Sequence, residues 1–225
     1  ERVMLLQEFM MHKKKWTYEK LRARLDGLKR EALYRKKIPL PNFNVRMSCD
    51  TVDNFDAGDS EWDQLEPGSY WGGPRQDFIL RTSFNVPPDW RKPIALCLPL
   101  GISKSLEPLS FLYGPEALAL IDGHPFQGID PDHQELFLSD DYLDGQTHVL
   151  ELLGWTGIED ERYEALQPLL VEINSSVREF ALTVDVGLKI IDQLPNENPQ
   201  RDKLLGIFDH AFLGLNLHEP IGDNF

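Results

Sequence analysis

Eight residues, 78 to 85, constrain the fold more than any others. Phe78, Leu80, Thr82 and Phe84 alternate with Ile79, Arg81, Ser83 and Asn85. A period of two puts the first set on one face of a strand and the second set on the other. A helix would scatter the same residues around its axis. The segment is read as a strand with one face in a core, and Pro87-Pro88-Asp89 turns the chain after it. Such a strand needs partners. Pro93 to Leu98, Ala117 to Ile121, Glu135 to Leu138 and His148 to Leu153 supply candidates. Asp122-Gly123 is a two-residue hairpin signal, and Asp144-Gly145 is a second turn. Short strands separated by such turns predict an antiparallel sandwich over residues 42–158.

The periodicity changes on both sides of that segment. Leu21, Leu25, Leu28 and Ala32 recur at steps of three and four, with Lys20, Arg22, Arg24, Lys29 and Arg30 on the other faces. This predicts a helix through residue 38 or so, with Thr17 as a cap and Pro39 and Pro41 as its stop. From 160 onward, Leu166, Leu169, Leu170, Ile173, Val177, Ala181, Val184, Leu188 and Ile191 keep helical spacing. Asn196 to Pro199 breaks the run, and Pro199 opens a second helix carrying Leu204, Leu205, Phe208 and Phe212. Two apolar helices bury little alone, so the hairpin needs another surface. The expected class is α+β: a jelly-roll or galactose-binding-like antiparallel sandwich flanked by an N-terminal helix and a C-terminal helical hairpin. The expected segments are 1–41, 42–158 and 159–225, the last leading into a further domain.

Charge narrows the function classes. The 225 residues carry a formal net charge of -14. Residues 1–46 hold 13 Lys/Arg against 5 Asp/Glu, and the rest hold 10 against 32. A body this acidic repels phosphate backbones, so no nucleic-acid partner is expected for it. The basic stretch is expected to dock onto acidic surface of the same protein. No apolar run approaches the ~18 residues that span a bilayer, so no membrane partner is expected. The start lacks the order of a signal peptide. Cys49 and Cys97 match no metal or redox spacing and are read as reduced thiols, which points to the cytoplasm.

Catalytic signals are sparse. The six histidines form no H-E-x-x-H or His-x-His pair. His124 and His133 flank a loop with Asp130 and Asp132, which reads as polar loop rather than as a metal site. There is no nucleophile elbow and no phosphate-binding glycine pattern. Carboxylates occur in runs, whereas a glycosidase pair must stand on either side of a sugar. No catalytic residue and no metal ligand is assigned. The aromatics Trp62, Tyr70, Trp71, Trp90 and Trp155 can stack on sugar faces or fill a sandwich core. In Trp71-Gly72-Gly73 the paired glycines would let another surface approach closely. Trp71, Gly72, Gly73, Arg75 and Trp155 are the candidates for carbohydrate or domain contact. Valine at the two glycines is expected to disturb that contact and leave the sandwich folded.

A family resemblance rests on ordered motifs. These are Trp71-Gly72-Gly73, Asp77-Phe78, Leu80 to Phe84, Val86-Pro87 with Trp90, and Pro115 to Gly123 continuing through Pro125 to Asp130 and His133. Together they resemble the N-terminal region of class II α-mannosidases, glycoside hydrolase family 38, of the bacterial and fungal cytosolic type. The resemblance implies a parent enzyme that hydrolyses terminal α-mannosides with zinc, in a catalytic domain this sequence lacks. It implies no cofactor in the present segment, no activity of the segment alone, and two partners: the protein's own catalytic domain and, through it, mannose-containing oligosaccharide. A homo-oligomer is a further expectation. The alternative is a stand-alone carbohydrate-binding sandwich or an assembly module.

Overall fold

The computed structural model of the chain describes residues 2–48, 62–103, 114–158 and 160–215. Cys49 and residues 220–225 lie outside them. In chain order the first elements are α1 (Arg2–Ala32), β1 (Tyr34–Pro39), β2 (Phe43–Ser48), β3 (Asp63–Leu65), β4 (Tyr70–Trp71), β5 (Asp77–Asn85), β6 (Ile94–Cys97) and β7 (Ile102–Ser103). They are followed by β8 (Glu116–Ile121), β9 (His124–Ile129), β10 (Glu135–Phe137), β11 (Thr147–Trp155), β12 (Tyr163–Glu164), β13 (Leu169–Ile173), α2 (Ser175–Gln193) and α3 (Pro199–Leu213). The backbone divides into two compact units, Lys36–Glu172 and Glu1–Arg35 with Ile173–Phe225.

The unit of 36–172 is an antiparallel sandwich. One sheet has the order β1-β13-β6-β10 and the other β3-β2-β5-β11-β8-β9, with a small sheet β4-β12-β7 beside them. In β5 the expected alternation holds: Phe78, Leu80, Thr82 and Phe84 are buried and their neighbours are not. Phe78, Leu80 and Phe84 share one core with Ile94 and Leu96 of β6, Leu136 of β10 and Leu170 of β13. The β8–β9 turn has Asp122 at φ 51° and Gly123 at φ 79°. Two left-handed residues in succession make the primed turn that suits the twist of a hairpin. Pro125 is tolerated because β9 is an edge strand.

The other unit is a three-helix arrangement among the described residues. Leu21, Leu25, Leu28 and Ala32 of α1 pack with Val177, Ala181, Val184, Leu188 and Ile191 of α2 and Leu205, Phe208 and Phe212 of α3. The surface that the hairpin required is therefore α1. Its basic face meets acidic groups of the same unit: Lys20 and Arg24 reach Asp209 at 2.8 and 3.2 Å, and Lys29 reaches Asp185 at 3.4 Å.

Two expectations of helix are corrected. The first helix stops at Ala32, and Tyr34–Pro39 is a strand. Its side chains are mostly exposed, as suits an edge strand guarded by Arg35, Lys36 and Lys37. The second helix begins at Ser175, and Leu169–Ile173 is an inner strand whose last four residues are buried. Asn174 caps the helix, its side chain accepting from the Val177 N–H at 3.4 Å.

Candidate functional site

The six-stranded sheet has one face in the core, and the strand period fixes what stands on the other. In β11 the side chains of Leu150 and Leu152 point inward, so Glu151, Leu153 and Trp155 point out. Gly154 falls on the inward set. A Cβ there would collide with the Phe78 ring and the Glu116 carbonyl, so only glycine lets β11 lie this close to β5 and β8. Trp155 pairs in register with Asp77 on one side and Glu116 on the other. Leu153, one step along, stands between Ile79 and Leu118.

These residues floor an open cavity of about 890 Å³ at one end of the sheet. Its far wall is Gln127 to Ile129 of β9 and the loop that follows, with Asp130 and His133. Trp155 is 40 % exposed and Leu118 43 %. Asp130 accepts the Asp132 and His133 backbone N–H groups at 2.8 Å and lies 2.9 Å from His133 Nδ1. That side-chain hydrogen bond holds the Asp130 carboxyl below its ordinary range and His133 above the usual imidazole value. Gln127 donates to the Glu135 carbonyl at 3.3 Å, which leaves its amide oxygen as an acceptor. Among the described residues, no hydrogen bond or ion pair holds the Asp77 or Glu116 carboxylate. The wall and floor hold three carboxylates and neither lysine nor arginine.

The structure brings the five sequence candidates into adjacent segments. The loop after β4 is tied to the end of β11: the Arg75 N–H donates to the Gly157 carbonyl at 2.7 Å and the Thr156 N–H to the Gln76 carbonyl at 3.0 Å. The Thr156 hydroxyl donates to the Gly73 carbonyl at 2.6 Å. Within this cluster the roles divide. Trp155 and Arg75 are exposed, whereas Trp71 is 6 % exposed and offers no face to a ligand. Its ring stands edge-on to Phe78 at 5.1 Å and beside Tyr163 at 6.1 Å. The close approach that Gly72 permits is to the chain's own Tyr163. A Cβ at Gly72, where φ is 85°, would lie 2.9 Å from that ring. Valine there strains the sandwich itself, contrary to the sequence expectation. Trp62 lies over Arg81, 4.6 Å from its guanidinium carbon, and Trp90 is half-buried against the core. Asp77, Glu116 and Gln127 escaped the sequence reading. Strand parity could have found the first two, since Asp77 continues the series of Ile79 and Arg81, and Glu116 that of Leu118.

A second polar cluster lies at the other end of β11. The buried His148 ring places Nδ1 2.7 Å from Asp122 and Nε2 3.1 Å from Asp144. Asp122 also accepts the Val149 N–H at 2.8 Å, and Asp144 accepts the Gln146 N–H at 2.8 Å. Phe84 and Tyr142 pack on the ring at 5.4 and 5.2 Å. This cluster ties two turns together. Among the described residues no three His, Cys, Asp or Glu side chains gather as a metal site, and no helix is long and apolar enough to cross a membrane.

Comparison with known proteins gives limited likeness. No protein-family model matches the chain. No curated protein matches it either. Among solved structures, β-glucuronidase from Ruminococcus gnavus in complex with D-glucuronic acid is similar at 12% identity and a TM-score of 0.43, over 63% of this chain and 30% of that one. The GH2 β-galacturonidase from Eisenbergiella tayi bound to galacturonate is similar at 13% identity and a TM-score of 0.39, over 63% of this chain and 26% of that one. The chain thus spans less than a third of each of these proteins. The expected membership of glycoside hydrolase family 38 is corrected: no family model and no curated protein matches the chain, and the similar structures are named as a β-glucuronidase and a β-galacturonidase, not as an α-mannosidase. The motifs behind that resemblance have local reasons in this fold. They form a glycine turn packed on Tyr163, two core strands and a primed hairpin. Zinc and mannoside hydrolysis were implied by that resemblance alone.

Proposed function

We propose that the sandwich of 36–172 is a non-catalytic, saccharide-binding accessory module, of the kind carried by glycoside hydrolases. One observation supports this reading above others: Trp155 lies exposed on a sheet face, at an open cavity, between two carboxylates that have no described partner. An indole offers a flat apolar face to the C–H side of a pyranose, and carboxylate and amide oxygens accept from its hydroxyls. Asp77, Glu116 and Trp155 occupy one face of one sheet. Groups so placed can flank a ring lying on the indole.

The test is a titration of the whole chain with a panel of neutral and charged oligosaccharides, followed through the Trp155 indole resonance. At least one is expected to shift it saturably. Trp155→Ala, titrated calorimetrically with the same ligand, should weaken that binding tenfold or more, roughly 1.4 kcal/mol, with an unchanged far-UV spectrum. If no oligosaccharide at millimolar concentration moves the resonance, the module is not a saccharide binder.

A further inference from the structure

We infer that the saccharide taken by the Trp155 cavity carries a free ammonium group, so that its ligand class is the amino sugars. The inference rests on the saccharide-binding reading and adds the charge of the ligand. Asp77, Glu116 and Asp130 line the cavity without any lysine or arginine. The one basic group there, His133, is already held by Asp130. A uronic acid would bring its carboxylate into this field and be repelled. A neutral sugar can donate its hydroxyls to Asp77 and Glu116 but leaves their negative charge uncompensated. An ammonium removes both objections. It donates a charge-assisted hydrogen bond to either carboxylate and gains cation–π attraction from indole, the strongest aromatic partner for a cation.

Geometry supports the same class. Asp77 and Glu116 are the direct cross-strand neighbours of Trp155, one on each side. Such neighbours have Cβ atoms about 4.5–5.5 Å away. A pyranose lying on the indole therefore projects its ring substituents sideways, toward the two carboxylates. An equatorial amine is a substituent of that kind. The formal net charge of -14 draws a cationic ligand toward the protein in general, so the test must separate the site from the field.

The experiment is calorimetric titration of the full chain near pH 6 and ~150 mM salt, where long-range attraction is screened within about 8 Å. The probes are a tetramer of glucosamine, its N-acetylated counterpart, a tetramer of galacturonate, and tetralysine. The glucosamine tetramer should bind at least tenfold more tightly than the N-acetylated one, and the galacturonate tetramer not at all. Asp77→Asn with Glu116→Gln should bring the first ratio close to one while the acetylated tetramer still binds. Trp155→Ala should weaken both tenfold or more. Equal affinity of the amino and acetylated tetramers would overturn the charge assignment and leave the saccharide reading standing. Binding of neither would overturn the amino-sugar assignment, and failure of the whole oligosaccharide panel would overturn the saccharide reading as well. Tetralysine binding as tightly, with the same dependence on Trp155, would overturn the assignment to a sugar.

Discussion

At the residue scale, His148 makes a prediction whose sign follows from its neighbours. Burial of the ring opposes its charge, but the hydrogen bonds to Asp122 and Asp144 outweigh burial and raise its pKa. With a carboxylate against each nitrogen, the imidazolium is the form that donates at both. Asp122 is held below its ordinary value, chiefly by His148 and then by the Val149 N–H. Asp144 is lowered first by the Gln146 N–H and also by His148. A raised histidine contributes stability that is complete below the unfolded value of about 6.5 and is lost as pH rises through the folded value. The lowered carboxylates contribute stability that is complete above about 3.9 and is lost as pH falls through theirs. Melting temperature against pH should therefore fall on both sides of a plateau lying between those limits. His148→Phe should flatten the alkaline fall, and an unchanged alkaline limb would remove His148 as its cause. The same scale shows what was legible in the site. Trp155 stands out in the sequence as a large aromatic at a strand end. Asp77 and Glu116 do not, because a lone carboxylate acquires meaning only from cross-strand register, which pairs residues far apart in the chain. Trp71 shows the reverse: its motif is conspicuous, and its ring is core.

At the scale of elements, Gly187 tests packing against propensity. It lies buried in α2, and a Cβ there would meet the Phe208 ring of α3. In an isolated helix, alanine in place of glycine gains about 1 kcal/mol. Here overpacking costs roughly 1–3 kcal/mol, so Gly187→Ala should destabilise by about 1 kcal/mol in urea denaturation. A second substitution, Phe208→Leu, should reverse that loss in a double-mutant cycle. A single variant more stable than the parent would mean that the two helices can part without cost. The strands with clean alternation, β5 and β11, and the Asp122-Gly123 hairpin were legible because each pattern sits within a few consecutive residues. Residues 34–39 and 169–173 were not. The first is an edge strand with almost no buried side, so it has no apolar period to read. The second is buried on both faces, so Leu169, Leu170, Val171 and Ile173 show no alternation and merge with the helical spacing that α2 begins at Ser175. Only Asn174, a cap preference in one residue, separates the two.

At the scale of the whole molecule, the described residues build two cores rather than one. Leu25, 1 % exposed, belongs to the helical core with residues of α2 and α3, and Trp71 belongs to the sandwich core. The helical unit is assembled from the two ends of the chain, with the sandwich inserted between Arg35 and Ile173. Its formation thus requires segments more than 130 residues apart, so α1 cannot be read as an independent appendage. Truncating a buried leucine removes transfer energy and leaves a cavity, at a cost of about 2–5 kcal/mol. In Leu25→Ala that loss should fall on the helical unit. Two probes separate the units: ellipticity at 222 nm, dominated by the helices, and the indole N–H resonance of Trp71, which reports the sandwich. Under urea the variant should lose helical signal at lower denaturant than the parent, while the Trp71 resonance persists to the parental concentration. Should both signals shift together by the same amount, the two cores unfold as one cooperative body. The sandwich would then depend on the helices for its stability, and a binding face carried by it would be lost with them.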